Sequence, residues 1–98
     1  MDEVLEAVAH GVVQGVGFRW FAQREASRLD LAGWVANEPD GSVRCLAIGP
    51  RATLEAFADR LREGPPSGRV DRLDLDWRAP NGESYVGFGI RSGAHRGD

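Results

Sequence analysis

The mostly apolar run from Val4 to His10 reads as a strand, its only polar residues, Glu6 and His10, falling with Val4 and Val8 on one side and Leu5, Ala7 and Ala9 on the other. The glycine-rich stretch from Gly11 to Gly17 is expected to interrupt it. The period then changes. Phe18, Phe21, Ala22, Ala26 and Leu29 fall at offsets of three and four, one stripe of an amphipathic helix over about residues 18–29, with Arg24, Ser27 and Arg28 on its wet side. Residues 31–38 and 42–48 read as two strands joined by a turn at Pro39-Asp40-Gly41, where proline presets φ and glycine accepts positive φ. Gly49-Pro50 ends this hairpin, and proline suits the first turn of a helix. Leu54, Phe57, Ala58 and Leu61 mark that helix, and Gly64-Pro65-Pro66 stops it. Residues 70–77 alternate strictly, Val70, Arg72, Asp74 and Asp76 against Leu73, Leu75 and Trp77. Residues 85–91 make a last, shorter strand.

The order β-α-β-β-α-β plus a terminal strand predicts an α+β fold of the ferredoxin-like, split βαβ kind, with two helices on one face of an antiparallel sheet. One domain is expected over residues 1–91. The segment 92–98 has no apolar side chain larger than alanine and is expected to be a flexible tail.

Composition narrows the function classes. A chain of 98 residues with 42% hydrophobic and 28% charged residues suits one ordinary globular domain. The net charge of −3 speaks against nucleic-acid binding, which needs basic surface to displace counterions from phosphates. No stretch approaches the roughly 20 apolar residues of a membrane span. Met1-Asp2-Glu3 is acidic where a signal peptide is basic, and Cys45 is the single cysteine, so a cytoplasmic monomer is expected.

Much familiar chemistry is missing. There is no G-x-S-x-G elbow, and His10 and His95 are too few and too scattered for zinc. Cys45 sits mid-strand without a neighbouring histidine and reads as structural. The acidic residues read as solvated helix and strand faces. The segment from His10 to Arg19 differs, with glycines at 11, 15 and 17 between a strand and a helix. Glycines there let successive N–H groups converge on an anion, and the helix N-terminus adds roughly half a positive charge. Arg19 at the junction could hold two phosphate oxygens with its planar fork. No lysine follows Gly17, which excludes the P-loop, and position 20 is tryptophan where the dinucleotide fingerprint needs its third glycine. On residue types alone, a tight strand-to-helix turn with an incidental arginine fits equally well.

Two motifs break that tie. Gly11-x-Val13-Gln14-Gly15-Val16-x-Phe18-Arg19 resembles the G-x-V-Q-G-V-x-F-R signature of acylphosphatases. Residues 33–43, with Gly33, Val35, Asn37, Asp40, Gly41 and Val43 at the key positions, resemble the second signature of the same family. The similarity covers nearly all of residues 4–91. It implies hydrolysis of acyl phosphates without metal or cofactor, the phosphoryl group being held by Gln14, Gly15, Val16, Gly17, Phe18 and Arg19. Catalytic roles fall to Arg19, on the phosphoryl group, and to Asn37, which would position the attacking water. One departure is Arg44, where many relatives carry an acidic residue.

Phe18 and Phe21 read as core, and Trp20 and Trp34 as core or rim packing, with lining of the cleft mouth the alternative for either. His10 reads as structural or solvated rather than as a base, since the chemistry that the resemblance implies needs none. Two other readings share the fold. RNA-recognition domains do, but their aromatic motif belongs on the first and third strands, and here its faint echo, Gly87-Phe88-Gly89-Ile90, is on the last. A binding-only module of the same fold is the other, as in the N-terminal part of hydrogenase-maturation carbamoyltransferases; this chain ends soon after the last strand and is expected to stand without such a partner domain.

Overall fold

In the computed structural model, which describes residues 1–91, the elements are β1 (Asp2–Val12), α1 (Phe18–Arg28), β2 (Ala32–Asn37), β3 (Val43–Pro50), α2 (Arg51–Glu63), β4 (Arg69–Arg78) and β5 (Phe88–Arg91). The tail expected at 92–98 lies outside the described residues. Two boundaries differ usefully from the sequence reading. The first strand runs on through Gly11 to Val12, so the glycines shorten the loop to residues 13–17 rather than starting it at 11. The last strand starts at Phe88, not at 85.

The five strands lie in the order β4-β1-β3-β2-β5. β1 pairs antiparallel with β3 and β4, and β2 antiparallel with β3. β5 pairs parallel with β2, so the sheet is mixed and the expected antiparallel arrangement needs correcting at that edge. The reason lies in the connection. The chain leaves β4 at Arg78, opposite Val4, and re-enters at Phe88, opposite Gly33, at the same end of the sheet. A strand that starts where β4 stops must run back against it, and therefore alongside β1 and β2. Residues 79–87 span the sheet's width, roughly 19 Å for four strand spacings. Tyr85 anchors the crossing by accepting a 3.3 Å hydrogen bond from the Trp34 indole. Glu83 secures its start by accepting from the Asn81 amide at 2.6 Å and pairing with Arg78. The Asn81 amide first, then Arg78, hold the Glu83 carboxyl well below the usual range, at about 2.

Leu5, Ala7 and Ala9 of β1, Val35 of β2, and Val43, Cys45 and Ala47 of β3 face the helices, as their alternation requires. Phe18, Ala22 and Ala26 of α1 and Leu54, Phe57 and Leu61 of α2 close over them. Phe88 joins this core edge-to-face with Phe57, ring centroids 5.7 Å apart, and so fastens the four-residue β5 to α2. Cys45 lies in the core of the central strand, and burial pushes its thiol up to about 12. The structural reading of that residue is the one the surroundings support.

Two side chains depart from the sequence reading. Val70 was expected beside Arg72, Asp74 and Asp76, but it packs on the core with Leu73, Leu75 and Trp77. A bulge explains this: His10 faces Arg72 and Gly11 faces Val70, so β4 spends one extra residue and the sides exchange. Glu25 was expected on a wet face but is 2% exposed. It accepts from Arg60 Nε of α2 at 3.1 Å, with Arg28 at 3.6 Å, and the Arg60 hydrogen bond holds its carboxyl below the ordinary carboxylate range.

The Glu25–Arg60 pair ties the two helices together, and its sign with pH follows from the lowered carboxyl. Its stabilisation is fully present above the unfolded value near 4.3 and is lost as pH falls through the lower folded value. Arg60→Met should therefore cost about 1–2 kcal/mol in urea unfolding at neutral pH, a modest figure because Arg60 is 39% exposed. The gap between variant and wild type should narrow steadily as the measurement moves into acid.

Candidate active site

The loop 13–17 joins the end of β1 to the start of α1. Gly15 and Gly17 sit at φ +75° and +79°, a region that a Cβ strains. Gly17 is also the N-cap of α1. The usual serine, threonine or aspartate there would turn its side-chain oxygen onto the helix amides. Gly17 has none, no side chain caps the helix, and the first turn carries no acid. The first helical bond runs from Phe21 N to Gly17 O at 3.0 Å. The amides of the first turn thus lack an intrahelical acceptor and point, with the helix dipole, toward the loop.

Arg19 projects from this turn. Its Nη1 donates to the Arg91 carbonyl at the end of β5, 2.7 Å away. The other described arginines are engaged elsewhere: eight pair with carboxylates, while Arg24 and Arg91 lie 4.5 Å over the rings of Trp20 and Trp34. Among the described residues Arg19 alone has neither a carboxylate nor a ring, and most of its five donors remain available.

Asn37 closes β2, with Val43 opposite it. The hairpin beyond is held by its own polar groups. Asp40 Oδ1 accepts from the Ser42 amide at 2.9 Å and the Ser42 hydroxyl at 2.6 Å, and the hydroxyl bond leads in lowering the Asp40 carboxyl below its usual range. The Glu38 amide donates to Ser42 O at 2.8 Å. Onto this turn reaches Gln14, whose Nε2 donates to the carbonyls of Glu38 at 2.7 Å and Ser42 at 2.9 Å. The loop and the Asn37 strand end are therefore cross-tied by one side-chain amide.

A cleft of about 190 Å³ opens here, lined by Val13, Gly15, Gly17, Phe18, Arg19, Trp20, Asn37 and Ile90. It is smaller than the roughly 300–1,000 Å³ of sites for drug-sized ligands, a size suited to a compact group. Arg19 and Asn37, distant in sequence, share it. Gly15 and Gly17 border it with their backbone. Gln14 and Val16 are not in its lining: the Gln14 side chain serves the hairpin, and Val16 packs against the core. Phe18 is 1% exposed and belongs to the core, as its helical spacing suggests.

Sequence reasoning missed Ile90, which comes from an edge strand remote in the chain, and left Trp20 between packing and the cleft mouth, where the structure has it. No local pattern marks either. His10 stands apart, its Nε2 3.1 Å from Asp74 and 3.2 Å from Arg72 on the strands. Arg44, the departure noted above, bridges Glu6 at 3.1 Å and Glu38 at 3.4 Å, outside the cleft. Among the described residues, no three His, Cys, Asp or Glu side chains gather as a metal would need. No helix among them is long and apolar enough to cross a membrane.

The acylphosphatase family model matches residues 5–90. An acylphosphatase of Salinibacter ruber is 49% identical over 81 residues, covering 83% of this chain and 84% of that protein. The crystal structure of acylphosphatase from Bacillus subtilis superposes with a TM-score of 0.86 at 37% identity, covering 91% of this chain and 98% of that one. Full-length HypF, in its phosphate- and nucleotide-bound form, matches with a TM-score of 0.84 at 28% identity, covering 95% of this chain but 12% of its own length. With two signatures meeting at one cleft and a family match spanning almost every described residue, this chain belongs to the acylphosphatase family.

Proposed function

We propose that the chain hydrolyses the carboxyl–phosphate bond of small acyl phosphates, with the loop ending at Arg19 holding the phosphoryl group and Asn37 positioning the water. The observation that carries this reading is that Arg19, otherwise unengaged by carboxylate or ring among the described residues, lines one cleft with Asn37 and the open backbone at Gly15 and Gly17.

The chemistry asks for little more. Water oxygen bonds to phosphorus as the bond from phosphorus to the acyl oxygen breaks. The products are a carboxylate and dihydrogen phosphate, and both water protons stay on the phosphate. The leaving group's conjugate acid has a pKa of about 4, so it departs as an anion at neutral pH and needs no general acid. The transition state is loose, with little early demand for a base. What remains is to neutralise charge on the phosphoryl oxygens and to aim one water in line. The helix amides and the Arg19 fork, already fixed by the Arg91 carbonyl, do the first. The Asn37 amide offers a donor and an acceptor and does the second without a tuned pKa. In this scheme Gln14 acts as a positioning residue, through the hairpin.

The reaction so written draws its charge from Arg19 and the loop and calls on no metal. The same reading makes the chain a cytoplasmic monomer acting on a small molecule, on the strength of its acidic balance and single buried cysteine. The helix-free side of β1 and β3 bears Val4, Glu6, Val8, Arg44, Leu46 and Ile48, without the aromatic pair that stacks RNA bases.

Release of phosphate from acetyl phosphate tests the proposal. Wild-type turnover should persist in excess chelator. Arg19→Ala should lower kcat/KM by about 10²–10³, or 3–4 kcal/mol, and Arg19→Lys should recover little of it because a point charge cannot replace the fork. Asn37→Ala should depress kcat far more than it raises KM, since water is no part of substrate binding; near-normal kcat would remove Asn37 from its role. Gln14→Ala removes one of two donors from each carbonyl, leaving the Gly41 amide on Glu38 O and the Glu38 amide on Ser42 O, and should lower kcat and cost about 1 kcal/mol of stability by urea unfolding.

A further inference from the structure

The cleft holds more apolar surface than a phosphoryl group can use. Trp20, in the first turn of α1, is 58% exposed, and Ile90, on β5, is 41% exposed. Both line the same cleft as Arg19 and Asn37. Apolar side chains exposed together and rimmed by polar groups mark a ligand-binding groove, whereas one alone would not. Trp20 is also held in place: the Arg24 guanidinium lies 4.5 Å from its ring centroid.

The remaining lining leaves the acyl group few places to go. The amides at Gly15 and Gly17 and the Arg19 fork are taken by phosphoryl oxygens, and Asn37 is taken by water. In-line displacement sends the acyl oxygen to the side of phosphorus away from that water. Val13 and Phe18 are each 1% exposed and offer no surface for an acyl chain. Trp20 and Ile90 are what is left.

We propose that Trp20 and Ile90 form an apolar lip that receives the acyl group, so that the chain favours acyl phosphates with an aromatic or bulky apolar acyl part over acetyl phosphate. This rests on the hydrolase reading above and adds specificity to it. An aryl ring gains offset or edge contact with the indole, whereas a methyl group covers little of either side chain.

The test compares benzoyl phosphate with acetyl phosphate as substrates, and benzoylphosphonate with acetylphosphonate, which cannot be hydrolysed, as ligands in calorimetry. For wild type, kcat/KM should favour the benzoyl compound, and benzoylphosphonate should bind about tenfold tighter than acetylphosphonate. The affinity ratio should fall toward one in Trp20→Ala and further when Ile90→Ala is added, and the kcat/KM ratio should fall with it to what the better benzoate leaving group alone gives. Trp20 is exposed, and thermal unfolding should show its variant folded. Equal phosphonate affinities in wild type, or ratios untouched by both substitutions, would overturn the lip while leaving hydrolysis intact. A wild-type chain that hydrolyses neither substrate yet keeps the tenfold binding preference would overturn the hydrolase reading and support the lip.

Discussion

The parallel pairing of β5 with β2 brings three strand ends to one place. β1, β2 and β5 all run the same way, so Val12, Asn37 and Arg91 terminate at the same end of the sheet. From β1 the chain turns through the glycine loop into α1; from β2 it delivers Asn37; from β5 it offers a carbonyl that grips Arg19 at 2.7 Å. An antiparallel β5 would put that carbonyl at the far end of the sheet. The direction of the strand is set by residues 79–87, held against the sheet by Tyr85 on Trp34 and by Glu83 at their start. The cleft therefore depends on a connection that never touches it.

Rigidity at the cleft is drawn from the core. Phe88 packs on Phe57, which holds β5, whose last carbonyl orients Arg19. On the other side Gln14 joins the loop to the Glu38–Ser42 turn, and the turn carries the strand end at Asn37. Arg19, the loop and the strand end at Asn37 are each held by a partner outside the cleft lining. Such prior ordering is what lets a site with few side chains stabilise developing charge.

The sequence made the elements legible because alternation and helical spacing are local properties. Leu5, Ala7 and Ala9, or Phe18, Phe21 and Ala22, betray their faces to any reader of the period. It concealed what depends on pairing. Strand direction is no property of β5's four residues, so the mixed sheet was unreadable. The bulge that turns Val70 inward exists only between two strands, and Glu25 is buried because Arg60, 35 positions away, meets it. The cleft was readable in its glycines, Arg19 and Asn37, where backbone need and chemistry leave a motif. Gln14 sat within that motif, but nothing local shows that its side-chain amide meets the carbonyls of Glu38 and Ser42 across the hairpin. Ile90 was hidden, and Trp20 stayed undecided between packing and the cleft mouth, because an exposed apolar residue has meaning only beside its neighbours.

The single thiol has a practical meaning. Cys45 sits on the central strand of the sheet, closed in by both helices, and with its thiol shifted to about 12 it is scarcely ionised at neutral pH. An alkylating reagent can reach it as thiolate once the middle of the sheet has come apart. Its labelling rate is thus a natural clock for the opening of the whole domain, with one chemical tick per molecule and no engineered probe.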